Sequence, residues 1–256
     1  EHLCSMITNK KINHVSNVTG VVNPVEKVIE EAKKRSAAAK ILVDASQSVP
    51  HMPVDVGRMG ADFVVFSGHK MLGPTGVGVL WGKEEVLKRM PPFLYGGDMI
   101  SEVKLDCTRF NKLPWKFEAG TPNMAGIVGL GAANDYLSDI GMNEVWAHGQ
   151  ELVEYSLRKI MPLVDEGLVK IYGPTSMEER GAVIAFNIEG VHAHDTAQVL
   201  DNQGVAVSSG QHCAAPLVDG LGEKAVSRAS FYLYNNRADV DSWIEGLSKV
   251  KEVFKI

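Results

Sequence analysis

Two short apolar runs in this chain each end on residues able to do chemistry. Ser67-Gly68-His69-Lys70 closes the run Phe63–Phe66, and Asp44 closes Ile41-Leu42-Val43. In open α/β sheets, ligands lie beyond the carboxyl ends of the strands. A lysine placed there is unusual, because an unpaired ammonium in a crevice costs desolvation energy. Schiff-base formation removes that charge and suits a desolvated lysine. Asp44, expected at the same sheet edge, offers a carboxylate that keeps a pyridine-type nitrogen protonated and turns such a ring into an electron sink. Gln47 can hydrogen-bond a phenolic oxygen, and Ser67 and His69 suit a phosphate. Taken singly, each has a plainer reading: Lys70 as a surface lysine before Gly73-Pro74, Asp44 as a turn cap, His69 as a core histidine. Their joint placement after strands is far more specific.

A nucleophile is the second feature. Cys213 follows Gly210-Gln211-His212 and precedes Pro216, in a stretch too polar and kinked for a core strand. A neighbouring histidine can raise the thiolate fraction. Cys4 and Cys107 have no comparable setting and read as incidental. The three cysteines form no CxxC pair and leave one over in any disulfide scheme, which suits free thiols in a reducing compartment and suggests no metal site. Gly73–Gly78 superficially suggests a phosphate loop, but it lacks the Gly-Lys-Ser/Thr ending and reads as a turn.

The elements that must position these residues follow from hydrophobic period. Strands are expected at His14–Val18, Ile41–Ala45, Phe63–Ser67 and Val77–Trp81, with a helix from Pro24 to about Ala38 capped by Asn23. Leu87–Thr121, rich in Pro, Gly and aromatics, is expected to be an irregular excursion with functional loops. Helical patterning covers about Asn123–Ile140 and Glu144–Ile160. Beyond these, Val183–Ile188 reads as a strand, His194–Asn202 as a helix and Val205–Val207 as a short strand. Asn236 caps a last helix whose apolar stripe runs from Val240 to Phe254. The expected fold class is α/β. A domain boundary is placed near Gly141, giving domains over 1–140 and 141–256.

The chain has 256 residues, 45% hydrophobic and 22% charged, an ordinary globular balance that allows a real core without disulfides. A net charge of −5 gives no general attraction for nucleic acid or anionic membrane. No apolar run approaches the roughly eighteen residues of a membrane span. The start has neither a secretory signal nor an Arg-rich transit peptide, and it lacks Met.

Two runs carry a family resemblance: Val43-Asp44-Ala45-Ser46-Gln47-Ser48-Val49-Pro50-His51-Met52-Pro53-Val54-Asp55-Val56 and Phe66-Ser67-Gly68-His69-Lys70. So do His14-Val15-Ser16-Asn17, Phe117-Glu118-Ala119-Gly120-Thr121-Pro122-Asn123, Gln211-His212-Cys213-Ala214-Ala215-Pro216-Leu217 and Ser227-Arg228-Ala229-Ser230-Phe231-Tyr232-Leu233-Tyr234-Asn235. From about His14 to the C-terminus the chain resembles the class V, fold-type I pyridoxal-phosphate enzymes. Within them it is similar to the SufS-type cysteine desulfurases and selenocysteine lyases. The resemblance implies an aspartate-aminotransferase-like fold: a large domain with a mainly parallel sheet, then a smaller α/β C-terminal domain.

It also implies roles. Lys70 would carry pyridoxal 5'-phosphate, Asp44 would pair with its ring nitrogen and Gln47 would contact its ring oxygen. Ser67 and His69 would bind its phosphate, and Asn17 would lie beside cofactor and substrate. Arg228 would clamp the substrate carboxylate, where its plain reading is a surface ion pair. Thr121, otherwise a loop residue, would reach the phosphate of a neighbouring subunit in a homodimer. Cys213 would take sulfur from L-cysteine as a persulfide, leaving L-alanine. A SufE- or SufU-like carrier would receive it for iron–sulfur cluster assembly, in the cytoplasm or the plastid stroma. Other class V aminotransferases or lyases share Lys70 and Asp44 without needing Cys213, and a catalytically inert dimerising fragment is a further alternative. The family carries an N-terminal portion not matched here. Its SufS-type members usually have Arg where Ser208 stands and His where Gln211 stands, and Val207-Ser208-Ser209-Gly210 looks like the NifS/IscS type instead.

Overall fold

The computed structural model describes residues 9–256, so Cys4 and the rest of the start lie outside the described residues. The chain divides into two compact units. Among the described residues, one comprises 9–12 with Val25–Ser46 and Asp55–Asp139; the other comprises Asn13–Pro24, Gln47–Val54 and Ile140–Ile256.

The first unit is built on a sheet in the order β1-β2-β3-β4, with β1 at Asn9–Asn13, β2 at Lys40–Asp44, β3 at Phe63–Ser67 and β4 at Gly78–Gly82. Helix α1 (Val25–Arg35) precedes β2, and the short α2 (Val56–Met59) lies between β2 and β3. A helical crossover of this kind lets neighbouring strands run the same way. β2 and β3 are parallel, with Asp44 opposite Val65. β4 returns antiparallel, Gly78 facing Ser67, so the sheet is mixed. Val43 and Val64 are wholly buried. Asp62, just before β3, is buried too; its Oδ2 accepts from the Ile41 amide at 3.0 Å and meets Lys33 at 3.3 Å. That satisfied carboxylate ties β2 to the entry of β3. After α3 (Glu84–Arg89), the stretch expected to be irregular contains a small hairpin, β5 (Ile100–Val103) with β6 (Thr108–Phe110), before α4 (Met124–Ile140). The hairpin escaped the sequence reading because its strands are short and mostly exposed, so no buried face imposes a period.

Gly141, at φ 89°, separates α4 from α5 (Met142–Asp165), a conformation that favours glycine. The second unit continues with β7 (Val169–Tyr172), β8 (Val183–Ile188), α6 (Ala193–Asp201), β9 (Ser208–Gly210), α7 (Ala215–Gly220), β10 (Val226–Ser230) and α8 (Arg237–Phe254). Its sheet has the order β7-β8-β10-β9, and each pairing is antiparallel. Phe186, Ile184, Leu152, Ile160, Leu200, Trp243 and Leu247 fill the core against it. Asn236 starts α8 with a capping box to Asp239.

Two strand expectations are corrected. The strand expected at His14–Val18 ends at Asn13 instead; the Ser16 hydroxyl accepts from the amides of Val18 and Thr19 and folds the backbone into a turn. The strand expected at Val205–Val207 starts only at Ser208, because the Val205 amide is taken by the Leu200 carbonyl in the turn that closes α6. Among the described residues no helix is long and apolar enough to cross a membrane, and no group of three or more His, Cys, Asp or Glu could hold a metal ion.

Candidate functional site

In the first unit the strand register sets the geometry. Asp44 is the last residue of β2 and Ser67 the last of the neighbouring parallel β3, so both lie at the carboxyl edge of one sheet. A single 3-10 turn, Gly68–Met71, carries His69 and Lys70 directly beyond that edge. The turn sits close to the approach to β4: the Gly68 amide donates to the Val77 carbonyl at 2.9 Å. A Cβ on Gly68 would stand 2.9 Å from Val77 Cγ1 and 3.0 Å from its carbonyl oxygen, so only glycine fits there. Lys70 is half-buried and His69 exposed. The half-buried Ser67 makes no side-chain capping bond to the turn that follows it.

Asp44 does two jobs. Its Oδ1 accepts from the Ser46 amide at 3.0 Å, which is the turn-capping role its position alone suggests. Its Oδ2 faces Lys11 Nζ at 3.2 Å, a partner on β1 that no sequence spacing announces. Burial pushes the Asp44 carboxyl up, but the hydrogen bonds from Ser46 and the Lys11 cation outweigh it and hold the group below the usual carboxylate range. The carboxylate is therefore ionised and already oriented toward a cation. Thr121 lies exposed in the loop before α4. That loop is fastened by Asn123, whose Oδ1 caps the Gly126 amide at 3.0 Å and whose Nδ2 donates to the Gly76 carbonyl at 3.3 Å.

The second unit gathers Asn17, Cys213 and Arg228, which lie far apart in sequence. Arg228 sits in β10 opposite Ser208 of β9. Its Nη1 donates to the Asn17 carbonyl at 2.8 Å and its Nη2 reaches the Ser208 hydroxyl at 3.5 Å, while its buried Nε has no hydrogen-bond partner. No carboxylate pairs with it among the described residues, so the plain reading of Arg228 as a surface ion pair does not hold. Burial lowers the Arg228 pKa. A guanidinium with spare donors and no counter-ion is suited to an incoming carboxylate.

Cys213 is exposed, in a turn with left-handed backbone at both His212 (φ 51°) and Cys213 (φ 58°). The Ala214 amide closes the turn onto the Gln211 carbonyl at 2.8 Å. Asn17 Nδ2 donates to the His212 carbonyl at 2.7 Å. One expectation changes here. His212 Nε2 bonds the Val226 carbonyl at 2.9 Å, and a carbonyl only accepts, so that nitrogen carries the proton. Burial, and then the nearby Arg228 charge, hold the imidazole below its usual pKa despite that bond. His212 is thus neutral at physiological pH and lends Cys213 no imidazolium charge; its role is to fasten the turn. Gln47, half-buried in the turns after β2, belongs to the segment Gln47–Val54 of this second unit. Tyr232 holds that segment by a 2.9 Å bond to the Pro50 carbonyl.

Set beside known proteins, the chain finds consistent company. It is 49% identical over 240 residues to a probable cysteine desulfurase of Streptomyces coelicolor, an alignment that takes in 94% of this chain and 56% of that protein. A probable cysteine desulfurase of Halalkalibacterium halodurans is 51% identical over 243 residues, covering 95% of this chain and 58% of the relative. The chain therefore spans little more than half the length of these relatives. Among solved structures, the apo cysteine desulfurase of Thermococcus onnurineus superposes with a TM-score of 0.90 at 37% identity, over 96% of this chain and 60% of that one. This likeness bears out the expected fold-type I architecture. The family model described as aminotransferase class-V matches residues 8–243. With more than half its length matched, this chain belongs to the class-V aminotransferase family.

Proposed function

We propose that this chain is the cofactor-anchoring and sulfur-accepting part of a pyridoxal-phosphate-dependent cysteine desulfurase. The observation that carries the reading is the parallel register of β2 and β3, which puts an ionised Asp44 and the Lys70 turn at one sheet edge. The donor set suits the cofactor. Asp44 Oδ2, now facing Lys11 Nζ, is a ready acceptor for a ring N–H, and the hydroxyl of Ser67 and the imidazole of His69 are suited to a phosphate. When bound, pyridoxal phosphate supplies an electron sink for negative charge on the α-carbon of an amino acid.

The chain's own residues do the rest. Lys70 Nζ would hold the cofactor and, as a free amine, would accept the α-proton of the substrate. Asp44 would hold the ring nitrogen protonated. Arg228 holds the substrate carboxylate with the donors that now lack strong partners. Cys213 attacks the sulfur of L-cysteine as a thiolate. The carbon–sulfur bond breaks, its electron pair stays with carbon and is protonated, and the products are L-alanine and Cys213 persulfide. In this reading Thr121 contacts the phosphate of a second copy in a homodimer, and Asn17 and Gln47 border the cofactor. A SufE- or SufU-like carrier then takes the sulfur for iron–sulfur assembly in a reducing compartment, the cytoplasm or a plastid stroma.

Borohydride reduction of the pyridoxal-phosphate-treated protein, followed by peptide mapping, tests the anchor. A pyridoxyl label on Lys70 supports the reading; a label on another lysine overturns the assignment. L-cysteine followed by thiol trapping should add one sulfur to the Cys213 peptide. Alanine release without that sulfur would instead favour another class-V lyase.

A further inference from the structure

Two successive residues of the Cys213 turn are left-handed, and neither is glycine. Each costs on the order of 1 kcal/mol relative to an ordinary backbone conformation. Such a pair persists where its surroundings over-determine it. Within the turn, backbone pairing contributes the Ala214–Gln211 bond, and just past it the Ala214 carbonyl accepts from the Leu217 and Val218 amides of α7. The other restraints are side chains: His212 Nε2 on the Val226 carbonyl, and Asn17 Nδ2 on the His212 carbonyl.

Asn17 is separated from His212 by 195 residues, so this contact is made by tertiary structure alone. The segment that carries Asn17 is itself stiffly mounted. Its Val22 amide donates to the Glu179 carbonyl at 2.8 Å, and the Gly181 amide donates back to the Gly20 carbonyl at 2.7 Å. Beside it, the fully buried Arg180 donates to the carbonyls of Tyr172, Pro174 and Val183 and locks the ends of β7 and β8. A Cβ on Gly173 would come within 2.3 Å of the Thr19 oxygen, so the segment is pressed directly on this scaffold. On its other side, Arg228 Nη1 holds the Asn17 carbonyl. The Asn17 carboxamide is therefore delivered to the turn from a fixed base. Only a side chain with an N–H or O–H can serve there, because the atom it meets is a carbonyl oxygen.

We infer that Asn17 is a positioning residue for Cys213: its carboxamide holds the turn in the left-handed form that presents the thiol. The inference rests on the reading of Cys213 as the sulfur acceptor, but its test needs neither cofactor nor substrate. It would give Asn17 a task in sulfur transfer separate from any contact with the cofactor.

Hydrogen–deuterium exchange at the Ala214 amide, read by mass spectrometry on the chain itself, reports opening of the turn. Asn17→Ala should speed that exchange about tenfold, the order expected for one lost hydrogen bond. The β5–β6 hairpin, in the other unit, should be unchanged. Equal exchange at Ala214 in Asn17→Ala and the parent would overturn the proposal. Asn17→Asp keeps the shape but has no donor at neutral pH, so it covers the case in which the alanine variant folds poorly. After correction for intrinsic rates, Asn17→Asp should be open at pH 7 and regain protection as its carboxyl protonates, near pH 4. A role in filling space predicts that aspartate behaves like asparagine at both values, and that outcome would also refute the donor role. Failure here leaves the borohydride test of Lys70 untouched, and failure of that test leaves this one standing.

Discussion

To shift Asp44 or the start of the Lys70 turn, a parallel ladder would have to slip; to shift Cys213, two side-chain hydrogen bonds need only open. In the first unit, backbone pairing between β2 and β3 sets the positions, and Gly68 presses the Lys70 turn against Val77. A one-residue slip in that ladder would turn every buried side chain to the wrong face, so the register is strongly held. In the second unit the thiol sits on a left-handed turn restrained by Asn17 and His212. Each such bond is worth on the order of 1 kcal/mol. The difference suits the proposed chemistry. A group that anchors a ring gains from a rigid mount, whereas a thiol that must receive sulfur and pass it on gains from one that opens cheaply.

The largest effect should come from breaking the rigid half. In a cofactor-loaded enzyme containing this chain, Lys70→Ala should lower alanine formation by on the order of 10³–10⁴-fold, since anchor and proton acceptor go together. Without cofactor, the melting temperature of the variant should hardly differ from the parent's, because the half-buried Lys70 has no structural ion pair among the described residues. Retained turnover would show that the strand edge does not house the chemistry. Cys213→Ser comes next, about 10²-fold or more, because a hydroxyl is a far poorer nucleophile toward sulfur than a thiolate. Substrate binding, followed by absorbance, should survive. Asp44→Asn should cost about 10²-fold in turnover with the cofactor still bound, since the shape stays and the charge goes. Arg228→Lys should raise KM for L-cysteine roughly tenfold or more, because a lysine cannot reproduce the planar fork. An unchanged KM would leave the spare donors of Arg228 without a ligand.

The same contrast governs how much the sequence reveals. β3 at Phe63–Ser67 and β8 at Val183–Ile188 match their expected bounds, because continuous apolar runs mark strands buried among neighbours. Asp44 and Lys70 were legible for the same reason: each follows such a run. β10 was not, because Val226-Ser227-Arg228-Ala229-Ser230 has only two short-range apolar positions besides its polar ones, and its burial comes from β8 and β9 on either side. The family resemblance pointed to Cys213, Arg228 and Asn17, but the bonds among them join residues up to 211 positions apart and leave no local pattern. Nor does any propensity place His212 and Cys213 at positive φ, where glycine is the usual choice. Sequence showed His212 as a neighbour of the thiol; only the structure shows its ring turned to the Val226 carbonyl.

The smallest effect tests whether the turn is held by Asn17 or by its footing in α7. That helix begins two residues after Cys213 and ends near Glu223, whose amide donates to the Val218 carbonyl at 3.2 Å. The Glu223 carboxylate takes the buried Tyr172 hydroxyl at 2.5 Å and Lys170 Nζ at 2.9 Å on the same oxygen. The Tyr172 bond first, and then Lys170, hold Glu223 below the usual glutamate value; burial, and then Glu223, push Tyr172 up. Tyr172→Phe removes the hydroxyl and should destabilise the second unit by about 1–2 kcal/mol at pH 7, measured by urea unfolding. A carboxyl with a depressed folded pKa contributes stability that is present above its unfolded value, about 4.3, and is lost as pH falls through the folded one. The gap between parent and Tyr172→Phe should therefore narrow below about pH 4. A gap that stays constant would mean that the hydroxyl acts by packing and not through the ionised carboxylate. At the Ala214 amide the same variant should raise exchange by no more than about twofold, less than Asn17→Ala, because it loosens the far end of α7 and leaves the Asn17–His212 bond in place.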